Sequence, residues 1–122
     1  MTLFDVITTV NKEFPNADGV DICHMVNELQ SKITSEIFSP HGIITPYESL
    51  NYKTDVNTRL LLDNEYRSIY FYYIYSLLYL KELDFENANS YSVLFNQSFE
   101  ELAISFRRKY KPIKNTPLKG GI

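Results

Sequence analysis

The stretch DNEYRSIYFYYIYSLLYLKEL, from Asp63 to Leu83, constrains the fold of this chain most strongly, because it has helical length and aromatic residues on every side. At about 100° per residue, one stripe suits an intramolecular core. It comprises Tyr66, Ile69, Tyr70, Tyr73, Leu77 and Leu80. The opposite side carries Phe71, Tyr75, Leu78 and Tyr79, with Tyr72 at its margin. A helix that is apolar all round is central in its domain or shared between subunits.

Tyrosine dominates the outer side of this predicted helix. A tyrosine ring buries a large apolar area while its hydroxyl needs a partner, so tyrosine is enriched in protein interfaces. We therefore predict that Phe71, Tyr75 and Tyr79 contact another subunit or a partner protein. The alternative is that these rings form the core of the monomer.

Length and composition predict one helical domain, residues 1–111, followed by a flexible tail, residues 112–122. The longest uncharged run, from Ser68 to Leu80, is too short and too rich in tyrosine to span a bilayer, so no membrane contact is expected. The N-terminal MTLFDVITTV lacks a basic leader, and a secretory signal is not expected. The single Cys23 excludes an intramolecular disulfide and favours a reducing compartment.

Charge is distributed unevenly along the chain. The residues from Leu102 onward include no acidic side chain. Their six basic residues are Arg107, Arg108, Lys109, Lys111, Lys114 and Lys119. The remaining 101 residues hold six of the twelve basic residues and all fifteen acidic ones, a net charge of −9. An acidic body with a basic tail can bind another copy of itself or pass near polyanions.

The apolar spacing predicts an all-α fold with four helices. They cover about Thr2 to Glu13, Asp21 to Phe38, the tyrosine-rich stretch from Asp63 to Leu83, and Phe85 to Tyr110. The last two are of similar reach and are joined by a short connection, so we expect a long antiparallel pair.

Polar residues and glycine mark the predicted helix ends. Thr2 followed by Asp5 predicts a capping box, and Asp84 is expected to cap the fourth helix. The third helix would be capped by Asp63 or by Asn64. The second helix should end before Gly42, which can take the left-handed conformation.

The irregular stretch of residues 43–62 separates the second and third helices. Residues 43–45 and 59–62 are compatible with a small hairpin. A connection of this length is commonly functional or ordered by a partner.

No set of residues for catalysis or metal binding stands out. His24 lies beside Cys23 and near Asp21, but a tight metal site needs three or four converging ligands. Neighbouring positions on a helix point about 100° apart, which disfavours a Cys–His nucleophilic pair. Phosphate-binding glycine motifs are absent from the sequence. We expect no enzyme activity and no cofactor, and at most a non-specific, salt-sensitive contact with nucleic acid.

The order of several segments resembles a family of small virion proteins of tailed bacteriophages. They are MTLFDVITTV, residues 25–30 (MVNELQ), Thr45-Pro46-Tyr47, EYRSIYFYYIYSLLYL and NANSYSVLFNQSFEELAISFRRKYKP, together spanning Met1 to Pro112. The family is that of head–tail connector or adaptor proteins. The chain differs from the family pattern before the tyrosine-rich helix, where a proline is common and Leu62-Asp63-Asn64 stands here.

The resemblance implies a helical adaptor whose copies assemble as a ring on the portal and link it to tail or stopper proteins. It implies a place in the virion neck, after assembly in the host cytoplasm. The segment from Arg107 to Lys119 would dock on a neighbouring subunit or on the portal, and the free protein can be monomeric. The alternative is a small phage-encoded regulatory module that binds one partner, through residues 43–62.

Overall fold

A computed structural model describes residues 1–44 and 48–110. Within these ranges the protein is all-helical, as predicted, with no strand. The four α-helices are α1 (Leu3–Glu13), α2 (Gly19–Ile33), α3 (Arg67–Lys81) and α4 (Phe85–Lys109). Three short turns adjoin them: a π-helical turn Thr34–Phe38 and the 3-10 turns Ser39–His41 and Asn64–Tyr66. The predicted flexible tail, residues 112–122, lies outside the described residues.

The capping box predicted at the start of α1 is confirmed. The Thr2 hydroxyl accepts a hydrogen bond from the Asp5 backbone N–H at 3.2 Å, and the Asp5 carboxylate accepts one from the Thr2 N–H at 3.0 Å. These bonds favour the charged carboxylate, so the pKa of Asp5 is lowered. The helix buries Leu3, Val6 and Val10 along one face.

The second helical segment begins and ends differently from the prediction. The helix α2 begins at Gly19, after the N-cap Asp18, and its last regular residue is Ile33. A π-helical turn then extends to Phe38, and the tighter 3-10 turn Ser39–His41 follows it, containing Pro40, which has no N–H to donate to the helix. The predicted left-handed stop at Gly42 is confirmed, with φ of 75°.

The helices α3 and α4 form the predicted antiparallel pair. Tyr66 bonds to Ser105 at one end, and Tyr79 stacks on Tyr91 at the other. Asp84 caps α4 as predicted, its carboxylate accepting from the Asn87 N–H at 3.2 Å. No side chain caps α3, because the 3-10 turn Asn64–Tyr66 precedes it. Asp63, one of the two predicted caps, is the N-cap residue of that turn, but its side chain makes no capping hydrogen bond.

The irregular segment, residues 48–62, packs along α1 and α2 and contains no strand, so the suggested hairpin is wrong for its described part. Its carbonyls at Thr58 and Val56 accept from the N–H groups of Leu3 and Phe4, at 3.3 and 2.7 Å. The first N–H groups of a helix have no partner within it. The irregular segment supplies those partners to α1.

Two amide side chains of α2 hold the irregular segment. The Asn27 amide accepts from the Leu50 N–H at 2.8 Å and donates to the Leu50 carbonyl at 3.0 Å. The Gln30 carbonyl oxygen accepts from the Leu61 N–H and from the Tyr70 hydroxyl, both at 2.8 Å. Gln30 is 2% exposed, so α2, α3 and the segment meet at a buried polar cluster.

The buried face of α3 differs from the predicted stripe. Its buried residues are Ile69, Tyr70, Ile74 and Leu78. Leu78 was assigned to the outer side, whereas Leu80 was assigned to the core and is 49% exposed. The difference arises because α4 packs on one side of α3 while α1 and α2 pack on another. Burial then follows two contact surfaces rather than one stripe.

Candidate functional site

The outer face of α3 lies in an aromatic cluster formed by this chain itself. Phe14, just after α1, packs against Tyr79 with ring centroids 4.8 Å apart and against Tyr75 at 5.6 Å. Tyr91 of α4 contacts the same two rings at 5.4 and 5.7 Å. Phe71 lies beside Tyr75 at 6.1 Å. Neighbouring helices thus cover much of the face that the sequence assigned to another chain.

The three predicted contact residues Phe71, Tyr75 and Tyr79 are all half-buried. Their rings are neither fully enclosed nor free. The fold accounts for the tyrosine-rich character of α3 without a second chain, since α1 and α4 supply ring partners. A contact between these three residues and another subunit stays a prediction.

A hydrogen bond fixes the end of the aromatic cluster. The Tyr79 hydroxyl donates to the Glu13 carboxylate at 2.8 Å. This bond to the neutral phenol raises the pKa of Tyr79 to about 12. Burial, followed by the charge of Glu13, raises the pKa of Tyr75 as well. A pocket of about 380 Å³ adjoins Tyr79 and is lined in part by the carboxylates of Glu13 and Glu82.

The turn between α3 and α4 carries exposed apolar side chains that the sequence analysis did not single out. Leu83 is 72% exposed and Phe85 is 62% exposed, next to the half-exposed Leu80. Leu83 has a φ of 61°, the left-handed region that glycine usually occupies at a helix end. For a residue with a Cβ this conformation costs roughly 1 kcal/mol or more.

The backbone explains why Leu83 takes this conformation. The Asp84 N–H donates to the Tyr79 carbonyl at 2.9 Å, and the Leu83 N–H donates to the Leu80 carbonyl at 3.0 Å. This pair of bonds is the Schellman motif, which requires a left-handed residue directly after the C-cap, here Glu82. The sequence gives no signal for this motif, since the short connection before Asp84 contains no glycine, the residue that usually marks it.

Carboxylates surround these apolar residues, and we name residues 80–86 the acidic turn. Glu82 and Glu86 are exposed, and Asp84 is half-buried as the cap of α4. The basic residue of the turn, Lys81, is already paired with Asp21 at 3.3 Å. The turn therefore presents an apolar centre with a negative rim.

The opposite end of α4 is positive, and we name residues 104–110 the basic end. Arg107, Arg108 and Lys109 are exposed in the last turn of the helix, as the sequence predicted. A shallow pocket of about 470 Å³ there is lined by Glu101, Ile104, Ser105, Arg108 and Lys109. The predicted contact residues Lys111, Lys114 and Lys119 lie outside the described residues.

The acidic turn and the basic end are held apart by α4. The helix has 25 residues, which at ~1.5 Å per residue separates its ends by roughly 37 Å. Both surfaces are projected by one rigid antiparallel pair. They therefore cannot meet within one copy of the chain.

The Asp21, Cys23 and His24 group does not form a site. Cys23 is buried and its Sγ donates to the Leu50 carbonyl at 3.4 Å, while His24 is exposed. Burial raises the pKa of the Cys23 thiol, which disfavours the reactive thiolate. Across residues 1–44 and 48–110, no three His, Cys, Asp or Glu side chains are grouped so that they could hold a metal ion.

Comparisons with protein-family models, curated proteins and solved structures gave no match to this chain. In the described part of the chain, no helix has the length and apolar character needed to cross a membrane. The surfaces of the fold are therefore the basis for assigning a function.

Proposed function

We propose that this protein is a head–tail connector or adaptor of a tailed bacteriophage, which assembles as a ring on the portal and links it to tail or stopper proteins. The observation that carries this proposal is the polarity of the α3–α4 pair. One end is apolar with a negative rim, and the other end is basic. The sequence resemblance to connector proteins points to the same class.

Polarity of this kind favours assembly of identical copies. Complementary patches at two ends of a subunit make a heterologous contact, which closes into a ring or continues as a filament. A ring on the portal would bring each subunit to the virion neck, after assembly in the host cytoplasm. Packaged DNA would meet at most the basic residues, in a non-specific contact.

The basic residues from Arg107 to Lys119 are proposed to dock on a neighbouring subunit or on the portal. Six positive charges lie in that segment, with no acidic residue among them. Their attraction to an acidic surface would be electrostatic and would weaken with salt.

Deletion of the residues after Pro112 tests this proposal. We expect the deletion variant to keep the melting temperature of the full chain, because its described core ends before that point. Binding to purified portal rings, observed by electron microscopy, should be lost with Lys114 and Lys119. Deletion of residues 120–122 alone is the matched control, since it retains every basic residue. Portal binding and incorporation into heads that survive the longer deletion would contradict the proposed role of the tail.

A further inference from the structure

The acidic turn contains a leucine that the fold of one chain does not explain. Leu83 is in the left-handed conformation and its side chain is 72% exposed. Glycine would take the same backbone conformation without steric cost. Leucine at this position therefore lowers the stability of the monomer and buries little apolar area in return.

Leu83 is part of a small apolar surface. Phe85 and Leu80 lie within three residues of it and are 62% and 49% exposed. Glu82 and Glu86 are exposed beside them. An apolar centre with a charged rim is the common organisation of a protein contact.

The basic end has the complementary organisation. Its shallow pocket is lined by the half-buried Ile104 together with Arg108 and Lys109, and Glu101 and Ser105 complete the lining. Tyr110, 38% exposed, lies next along the chain. An apolar side chain entering this pocket would place carboxylates around it close to two or three positive groups.

We propose that the acidic turn of one copy docks on the basic end of a second copy. Leu83 and Phe85 contact Ile104 and Tyr110, while Glu82 and Glu86 face Arg108 and Lys109. Each copy carries both halves, and about 37 Å of helix prevents them from meeting within one chain. The inference deepens the proposed function and rests on it in one respect. The proposed function supplies the ring, in which successive contacts of this kind would close.

The Leu83→Gly variant distinguishes an effect on this contact from an effect on folding, because the two are expected to change in opposite directions. Glycine relieves the left-handed strain, so the variant should melt at a higher temperature than the wild type. Its self-association, measured by sedimentation velocity over a concentration series at low salt, should weaken by about tenfold or more, the loss expected for a central apolar contact residue. Val93→Ala is the control, because Val93 is a 46% exposed apolar residue midway along α4. That variant should associate like the wild type.

Charge exchange tests the pairing of the two ends. Glu86→Lys and Arg108→Glu should each abolish self-association, and the double variant should restore it, because each copy then offers a reversed pair. Association of the wild type should weaken as salt is added. A failure of the double variant to recover, with melting temperatures unchanged, would overturn the contact.

Two further results would overturn the inference. One is self-association of Leu83→Gly equal to that of the wild type, and the other is a wild-type chain that stays monomeric at millimolar concentration in low salt. A failure of the proposed function can be told apart from a failure of this contact. If the wild type associates through these ends but does not bind portal rings, the contact stands and the connector role is wrong. If Leu83→Gly still forms rings on the portal, the connector role stands and the contact is wrong.

Discussion

Gln30 is a polar residue in the core, and it joins three parts of the chain. Its side-chain oxygen accepts from the Leu61 N–H and from the Tyr70 hydroxyl, and Tyr70 in turn accepts from the Leu62 N–H at 3.2 Å. Buried polar groups are tolerated when they are hydrogen-bonded. Gln30 therefore fixes the position of the irregular segment relative to α2 and α3. An apolar residue at this position could not accept either hydrogen bond.

Replacement of Gln30 by methionine should be strongly destabilising. Methionine has a similar volume but cannot replace the amide oxygen, so the buried Tyr70 hydroxyl and the partly buried Leu61 N–H lose their acceptor. We expect a loss of roughly 2–3 kcal/mol in the free energy of unfolding, measured with urea. Gln97→Met on the exposed side of α4 is the control and should change stability little. Equal stability of both variants would show that the Gln30 bonds contribute nothing.

The raised pKa of Tyr79 predicts how the stability of the protein changes at alkaline pH. Its pKa is raised from 10.0 in the unfolded chain to about 12 in the folded protein. The contribution of Tyr79 to stability is therefore complete below pH 10.0 and is lost as the pH rises toward 12. The pKa values of Tyr73 and Tyr75 are also raised and add to the same decline.

Tyr79→Phe should reduce this alkaline loss of stability. The variant lacks the ionisable hydroxyl, so its free energy of unfolding should fall less steeply above pH 10.0 than that of the wild type. Tyr52→Phe is the control, because Tyr52 is an exposed tyrosine. Urea unfolding at a series of pH values would provide the measurement. Identical pH profiles for Tyr79→Phe and the wild type would contradict the role given to the bond with Glu13.

At the scale of elements, the irregular segment depends on α2 more than on its own residues. Asn27 bonds both backbone groups of Leu50, and the segment closes over the first turn of α1.

Asn27→Ala should lower the free energy of unfolding by roughly 1–3 kcal/mol. Amide hydrogen exchange of residues 48–60 should accelerate, while protection in the middle of α3 and α4 should be retained. Asn96→Ala on the exposed side of α4 is the matched control, and equal exchange in both variants would contradict this anchoring.

The helices and several of their ends could be predicted from sequence because they depend on local signals. The Thr2 and Asp5 capping box, the Asp84 cap and the stop at Gly42 all rest on residues close in the chain. The path of the irregular segment could not, because Leu50 and Leu61 are held through backbone groups that leave no side-chain signature.

Some features of the candidate surfaces could likewise be predicted from the sequence, and others could not. The charge of the basic end was visible because composition records it directly. The two-sided burial of α3 was not visible, since periodicity gives the angle of each residue around the helix and not the number of neighbours. The importance of the exposed Leu83 could be recognised only from the backbone conformation, because it depends on a positive φ.

For the whole molecule, the fold combines a rigid pair with a segment attached to one side. The α3–α4 pair carries opposite charge at its ends, and α1 and α2 complete the core around α3. In the proposed assembly, the contact residues at the two ends lie outside the buried core. Substitutions at the ends can change association while the core remains intact.

The anchoring of the irregular segment has a consequence for sequence divergence. Asn27 and Gln30 hold the main chain at Leu50 and Leu61, and the Tyr52 ring packs against Gly19 of α2, whereas the side chains of Lys53 and Thr54 are exposed. Mutations there can accumulate without a penalty to the scaffold. Lys53 and Thr54 are thus a natural place for grafting a foreign peptide.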